Sequence, residues 1–296
     1  MLYAILGILA FALQNTCCKE YGNRYPGTVY AQSVMTVLSL VVVVAIMALL
    51  GGVQALTPEG YLIAFLFGVF FVLTLTTMTL AMNSGHLGIT LLIQNSSLMV
   101  PTIYGMIAWG EKMTVFKGLG ILFILALLAL SAGDDTTAAG SMKNWNKKKW
   151  MLLTGLAFFG DGILGILQGM MSRASAETSS NTFTFWTSIF SIIVAGGLYI
   201  FFRMRGENVK LTRDKRDLAM FGGLITGIGV GTAGGNSFSI LALTQLPGLV
   251  FFPLRQGGLV LVMWLVGILL YKEKVTKRGL IMLATGLLGL ILINLG

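Results

Sequence analysis

The chain alternates between long apolar runs and short polar breaks. Ten apolar runs follow one another near Leu2–Cys18, Val29–Leu50, Tyr61–Met82, Leu87–Trp109, Val115–Ser131, Trp150–Met171, Thr182–Phe202, Leu218–Leu243, Leu249–Leu270 and Gly279–Leu295. A helix needs about 20 mostly apolar residues to cross the hydrocarbon core of a bilayer. The pattern therefore predicts an all-α membrane protein with ten transmembrane helices.

Composition agrees with a protein whose main solvent is lipid. Of the 296 residues, 56% are hydrophobic and 10% are charged, and the mean hydropathy is +0.86. Soluble domains carry about 25% charged residues, so this chain lacks the charge that a water-exposed surface needs. We expect a multi-pass integral protein whose partner is the lipid bilayer.

Basic residues are distributed unevenly between the two sides of the predicted bundle. The loops after the odd-numbered runs hold most of the 20 Lys and Arg residues, whereas the other side has only Lys112, Lys117 and Arg173. The positive-inside rule places the odd-numbered loops in the cytoplasm and both termini outside, most simply in the cell membrane. These loops carry no nucleic-acid-binding motif, so we expect no nucleic-acid partner.

A glycine-rich stretch in the eighth run formally matches a dinucleotide-binding fingerprint. The stretch Gly222–Asn236 reads GGLITGIGVGTAGGN and contains G-x-G-x-x-G at Gly229–Gly234. That fingerprint needs a preceding strand within a soluble βαβ unit, which the apolar surroundings disfavour. Glycines at every fourth position instead predict a helix face that packs closely on a neighbouring helix. The four glycines of this face are Gly223, Gly227, Gly231 and Gly235.

The polar segment 132–149 divides the chain into two similar halves, 1–131 and 150–296. The turn WGEKMT at Trp109–Thr114 resembles YKEKVT at Tyr271–Thr276. Such self-similarity indicates a duplication. Because each half contains five runs, the second half must be inverted in the membrane relative to the first. Inverted five-helix repeats are typical of alternating-access transporters, which bind substrate near the midplane between the repeats.

The shared E-K-x-T turn also has a structural interpretation. Thr114 and Thr276 precede the last run of each half, where a threonine hydroxyl can accept a backbone N–H and cap the helix. The charges of Glu111 and Glu273 are then expected at the membrane interface. A gating role for these turns is the alternative.

With this arrangement of five plus five helices, each half ending in an E-K-x-T turn before a glycine-bearing helix, the chain resembles the drug/metabolite transporter superfamily, EamA type. The resemblance implies that runs 1, 3, 4, 6, 8 and 9 surround a central cavity. It places runs 2 and 7 outside, and it makes runs 5 and 10 pack the halves together. Members of this superfamily usually have cytoplasmic termini, whereas the basic loops here indicate the opposite orientation.

Ionisable and amide side chains at membrane depth are the candidate site residues. Asp161 and Arg255 lie within apolar runs, where a charge costs about 2.5–3.5 kcal/mol on insertion scales and therefore suggests function. The prolines at Pro101 and Pro253 can each break a helical hydrogen bond and bend their runs. Polar side chains of these runs can line a wet cavity, or they can simply bond neighbouring helices. The predicted substrate-binding residues are Gln14, Gln94, Asn95, Asp161, Gln168, Asn236, Arg255 and Gln256.

These observations favour a secondary transporter for a small polar or amphiphilic metabolite, such as an amino acid or an amine. The chain has no Walker motif, and one histidine with the adjacent Cys17 and Cys18 makes a poor basis for a metal site. We expect a monomer or homodimer that is not an enzyme and uses no cofactor or metal. The alternatives are a membrane-embedded enzyme acting on a lipid or isoprenoid substrate, and a non-transporting membrane scaffold.

The charge bias makes a direct topology prediction. A reporter active only in the cytoplasm should be active when fused at Gly140, in the basic linker, and inactive when fused after Gly296. Activity in intact cells is the measurement. The reverse pattern would contradict the charge-based orientation and favour the orientation usual for the superfamily.

Overall fold

The computed structural model describes residues 1–25, 28–84, 87–132, 147–174, 179–206, 215–272 and 275–295. These residues form α-helices and one short 3₁₀ turn, with no strand among them. Most of the polar segment 132–149 and the predicted interfacial Glu273 lie outside the described residues. The helices are α1 Leu2–Arg24, α2 Val29–Leu49, α3 Pro58–Ser84, α4 Leu87–Asn95, α5 Met99–Ala108, α6 Val115–Ala132, α7 Lys147–Ala174, α8 Ser180–Met204, α9 Lys215–Leu243, α10 Gly248–Tyr271 and α11 Lys277–Leu295.

Within the described ranges, eight helices are long and apolar enough to cross a membrane. They are α1 to α3 and α7 to α11. The fifth run forms α6, whose apolar part Val115–Leu130 is shorter, and the fourth run is divided between α4 and α5. The chain is therefore an all-α integral membrane protein.

The fourth run does not form one regular α-helix. A 3₁₀ turn at Ser96–Leu98 separates α4 from α5. Pro101 lies four residues after Ser97, so its ring removes the N–H that would bond the Ser97 carbonyl and also crowds that carbonyl. The backbone stays right-handed at Leu98 and Met99, with φ of −51° and −64°. The predicted break at Pro101 is thus a tightened helical turn rather than a loop.

Pro253 has a milder effect than predicted. The helix α10 continues without a break from Gly248 to Tyr271 and contains Pro253 in its interior. The hydrogen bond that Pro253 cannot make would have reached Leu249, only the second residue of the helix. Leu249 and Phe252 are almost completely buried, and packing of this first turn holds the helix in place.

Both threonines of the repeated turn cap a helix, as predicted. The Thr114 hydroxyl accepts the backbone N–H of Lys117 at 3.2 Å, at the start of α6. The Thr276 hydroxyl accepts the backbone N–H of Gly279 at 3.1 Å, at the start of α11. Each bond satisfies one of the backbone donors that the first helical turn leaves without a partner.

The main helix contacts join elements from opposite sides of the polar segment. Helix α1 packs on α9, α3 on α7, α2 on α8 and α6 on α11. One core cluster contains Ile8 of α1, Ile124 of α6 and Phe251 of α10. The two sequence halves therefore share one core, and each depends on the other for burial.

The glycine-rich stretch lies wholly inside α9, so the strand–turn–helix unit of a dinucleotide site is absent from it. A Cβ at Gly231 would lie 2.6 Å from the Ala10 carbonyl oxygen of α1, closer than real Cβ atoms approach. A Cβ at Gly227 would lie 2.5 Å from the Cys17 sulfur of α1, and one at Gly235 would lie 2.6 Å from the Phe11 ring of α1. The prediction is wrong for Gly223, which is exposed and would meet nothing within 4 Å, because α1 does not pack on that turn of α9.

This contact predicts different outcomes for two identical substitutions on one helix. Gly231→Leu should lower the thermal unfolding midpoint in detergent, or the folded yield, because overpacking costs roughly 1–3 kcal/mol or more. Gly223→Leu is the control, and it should fold normally because its side chain would enter open space. Equal effects of the two substitutions would contradict close packing of α9 on α1.

Candidate functional site

Helix α7 carries two of the predicted site residues on one face. Asp161 and Gln168 are seven residues apart, which is close to two full helical turns. Beside them, α7 lies against the broken fourth run: a Cβ at Gly162 would be 2.5 Å from Val100, and one at Gly165 would be 2.8 Å from Pro101. Glycines on α7 therefore let the 3₁₀ turn approach Asp161.

The Asp161 carboxylate accepts a hydrogen bond from the hydroxyl of Ser97. Ser97 belongs to the 3₁₀ turn and is 1% exposed. Sequence reasoning did not include Ser97 among the binding residues. Its position four residues before Pro101 was the available signal, because the carbonyl opposite a helical proline marks the turn that deforms.

Arg255 of α10 is held by one amide, which a second amide supports. Its guanidinium donates to the Gln168 side-chain oxygen at 3.3 Å. The Gln168 side-chain nitrogen donates in turn to the Asn236 side-chain oxygen at 3.0 Å. Gln168 is 3% exposed, so both ends of its amide are satisfied inside the protein. The series Asn236–Gln168–Arg255 joins α9, α7 and α10.

An aromatic ring from α1 completes the surroundings of Arg255. The guanidinium carbon lies 5.6 Å from the centroid of the Phe11 ring, within the range of a cation–π interaction. Phe11 also contacts the position of Gly235 on α9. Four helices from both sequence halves therefore contribute to the Arg255 environment.

Asp161 and Arg255 do not contact each other directly. The ion pair found within the described residues links Arg173 to Glu111, and none joins Asp161 to Arg255. A direct Asp161–Arg255 ion pair is one arrangement that two buried opposite charges can adopt, and this conformation does not contain it. Each charged side chain is instead hydrogen-bonded to a neutral one, Asp161 to Ser97 and Arg255 to Gln168.

The remaining predicted residues divide into one pair and two separate amides. Gln256 donates to Asn95 at 3.2 Å, which links α10 to the end of α4. Gln14 lies half-buried where α1 meets Gly231, and its Cβ faces that glycine. Gln94 is half-buried on α4. Neither Gln14 nor Gln94 forms a side-chain hydrogen bond with the other predicted residues that the structure describes.

A second polar cluster lies at the start of α10. One Glu111 oxygen accepts the Gly248 backbone N–H at 2.9 Å, and the other accepts the Leu249 N–H at 2.8 Å. The first oxygen also pairs with Arg173 at 3.0 Å, and the Arg173 guanidinium lies 4.4 Å from the Trp109 ring centroid. Only 7% of the Glu111 side chain is exposed. Glu111 therefore caps a helix of the other half, a role that its place in the repeated turn did not predict.

A related cluster lies at the opposite end of α10. The Lys19 ammonium is 3.9 Å from the Tyr271 ring centroid, and the Tyr271 hydroxyl donates to Glu20 at 2.8 Å. Tyr271 occupies the place in the second repeated turn that Trp109 occupies in the first. Each end of the bundle thus has a cation from α1 or α7 placed over an aromatic residue of a repeated turn.

No protein-family model and no curated protein matches the chain. Among solved structures, the chain is similar to one described simply as "Crystal structure of protein", with a TM-score of 0.74 and 13% sequence identity. The match covers 99% of this chain and 96% of that chain. At this identity the likeness concerns the fold alone.

The Glu111 geometry predicts which of its contacts stabilises the protein most. Glu111→Gln would turn an amide N–H₂ towards backbone donors, and leaving a buried donor without an acceptor costs roughly 1–3 kcal/mol. Arg173→Gln should cost less, on the order of 0–1 kcal/mol, because half of the Arg173 side chain is exposed.

Thermal unfolding of both variants in the same detergent is the measurement. A larger loss in Arg173→Gln than in Glu111→Gln would show that the ion pair, and not the helix cap, is the main contribution of this cluster.

Proposed function

We propose that this chain is a secondary transporter that moves a small polar or amphiphilic metabolite, amino acid or amine-like, across a membrane by alternating access. The observation that carries the proposal is the polar group around Arg255 and Asp161. It lies at membrane depth and is assembled from helices on both sides of the polar segment. A scaffold protein needs no such group, and burying it is costly.

The pairing of helices supports two inverted repeats as the framework for this transporter. In the proposed repeat, α1, α3 and the fourth run, which ends in α5, correspond to α7, α9 and α10. The α1–α9 contact then corresponds to the α7–α3 contact, and the α1–α10 contact corresponds to the α7–α5 contact. All four contacts are present. The α2–α8 and α6–α11 contacts map onto themselves. An inverted repeat places its binding site near the midplane between the halves.

The proposal counts ten spans and agrees with the resemblance to EamA-type drug/metabolite transporters. The fourth run, with its tightened turn, and the shorter α6 complete the number beyond the eight long helices. The interruption at Ser96–Leu98 suits a transporter, because irregular helices often form substrate sites at membrane depth. Basic odd-numbered loops would face the cytoplasm of a cell-membrane protein.

The two cation–aromatic clusters are suited to act as gates in this mechanism. The Glu111–Arg173–Trp109 cluster joins the start of α10 to α7 and the end of the fourth run. The Lys19–Tyr271 cluster joins the end of α10 to α1. Opening a path from either side to the central polar group requires separating the corresponding helices. Alternating access would then break one cluster while the other stays intact.

Uptake into proteoliposomes tests the proposal. We expect at least one member of a panel of amino acids and amines to accumulate above protein-free vesicles. Arg255→Gln should reduce that uptake about tenfold or more, because a lost hydrogen bond to a charged group is worth roughly 1.5–3 kcal/mol and 1.4 kcal/mol is tenfold.

Gln32→Met is the control, since Gln32 is half-buried on α2 outside the polar group and its variant should transport normally. Absence of accumulation across the panel, together with turnover of a lipid substrate by the purified protein, would favour the membrane-enzyme alternative instead.

A further inference from the structure

The acid and the base at membrane depth are held apart, each by an uncharged side chain. Asp161 accepts from Ser97, and Arg255 donates to Gln168. Among the described residues, no ion pair joins these two charges. In a low-dielectric setting opposite charges attract strongly, and a buried pair normally gains its stability from direct, hydrogen-bonded contact. Here each charge instead has a neutral hydrogen-bonding partner from the fold.

Gln168 is fixed in the orientation that keeps Arg255 in place. Its nitrogen donates to Asn236, so its oxygen must face the guanidinium. Gln168 is 3% exposed and has no room to turn without losing both bonds. On the other side, Ser97 is fixed by the 3₁₀ turn that Pro101 produces. Both supports come from rigid, buried parts of the fold.

The Arg255 guanidinium keeps donors for a ligand. It has five N–H groups, and it makes one hydrogen bond to the part of the chain that the structure describes. Its planar edge matches a carboxylate, which can accept two parallel hydrogen bonds from it. Asp161 supplies the complementary acceptor for an ammonium group, because one donor from Ser97 leaves further lone pairs of the carboxylate available.

We propose that the site binds a zwitterion of the amino-acid class, with its carboxylate on Arg255 and its ammonium on Asp161. Gln168 and Ser97 are the positioning residues that stop the two receptors from closing on each other. This inference rests on the transport function proposed above and narrows its substrate class. A simple acid would leave Asp161 without a charged partner, and a simple amine would leave Arg255 without one.

Matched ligands test the substrate class. Binding to the purified protein is measured by thermal stabilisation in detergent for alanine, for ethylamine, which lacks the carboxylate, and for propionate, which lacks the ammonium. The same comparison is made for phenylalanine, phenethylamine and 3-phenylpropionate. In at least one set, the amino acid should stabilise the protein at concentrations about tenfold lower than either analogue, equivalent to about 1.4 kcal/mol. The proposal would be overturned if, in both sets, the amine or the acid bound as well as its amino acid.

Charge variants test the two assigned receptors. Asp161→Asn should weaken binding of the amino acid, whereas binding of propionate or 3-phenylpropionate should be unchanged or stronger. Arg255→Gln should also weaken binding of the amino acid, whereas binding of the amine should be unchanged or stronger. The double variant leaves neither buried charge without its opposite charge, so it should fold. It should bind none of the three ligands preferentially. Recovery of amino-acid binding and transport in the double variant would mean that the two charges serve structure alone.

Gln168→Met tests the positioning role. Without the amide, Arg255 is free to reach Asp161, so the variant should still fold but should bind the amino acid about tenfold more weakly. Gln32→Met on α2 is the matched control and should keep both properties. If Gln168→Met does not fold, Ser97→Ala tests the side chain that holds Asp161. This variant should no longer bind the amino acid in preference to the acid. An unchanged preference in a folded variant would overturn the positioning role.

The two proposals fail separately. Binding that prefers the zwitterion without accumulation in proteoliposomes would contradict transport and leave the substrate class intact. Accumulation of an uncharged solute that neither Asp161→Asn nor Arg255→Gln affects would support transport and overturn the zwitterion site.

Discussion

Close contact between helices at glycine positions is the constraint on which the rest of this structure depends. Lipid gives apolar helices no hydrophobic reason to associate, so packing must come from backbones that approach closely. A Cβ at Gly231 would meet α1, one at Gly120 would meet the Gly289 carbonyl of α11, and one at Gly68 would meet α8. Each of these contacts crosses the polar segment. Glycines therefore hold the two halves together as one core.

The same packing decides which side chains surround the buried charged residues. Gly162 and Gly165 bring α7 against the fourth run, which places Ser97 beside Asp161. The contact of α1 with α9 at Gly235 places Phe11 over Arg255. Side chains that are far apart in the sequence thus converge because small residues let their helices approach. The cost of burying them is offset by hydrogen bonds between uncharged and charged groups.

The ends of the bundle use a different chemistry from the glycine contacts. Glu111 satisfies two backbone donors at the start of α10, where the partial positive charge of a helix N-terminus favours a carboxylate. Lys19 and Arg173 lie over the aromatic rings of the two repeated turns. These contacts lie at helix ends and involve exposed cations, so breaking them costs less than separating the glycine-packed core.

The sequence by itself determined the class of the protein, because run length and scarcity of charge are properties of composition. It also predicted the threonine caps and the packing role of Gly227, Gly231 and Gly235, which depend on local spacing. Only the tertiary structure decided that Gly223 is exposed, that Glu111 caps α10, and that Ser97 binds Asp161 while Gln168 binds Arg255. Periodicity shows which residues share a helix face, whereas their partners depend on which helix lies opposite and at what height.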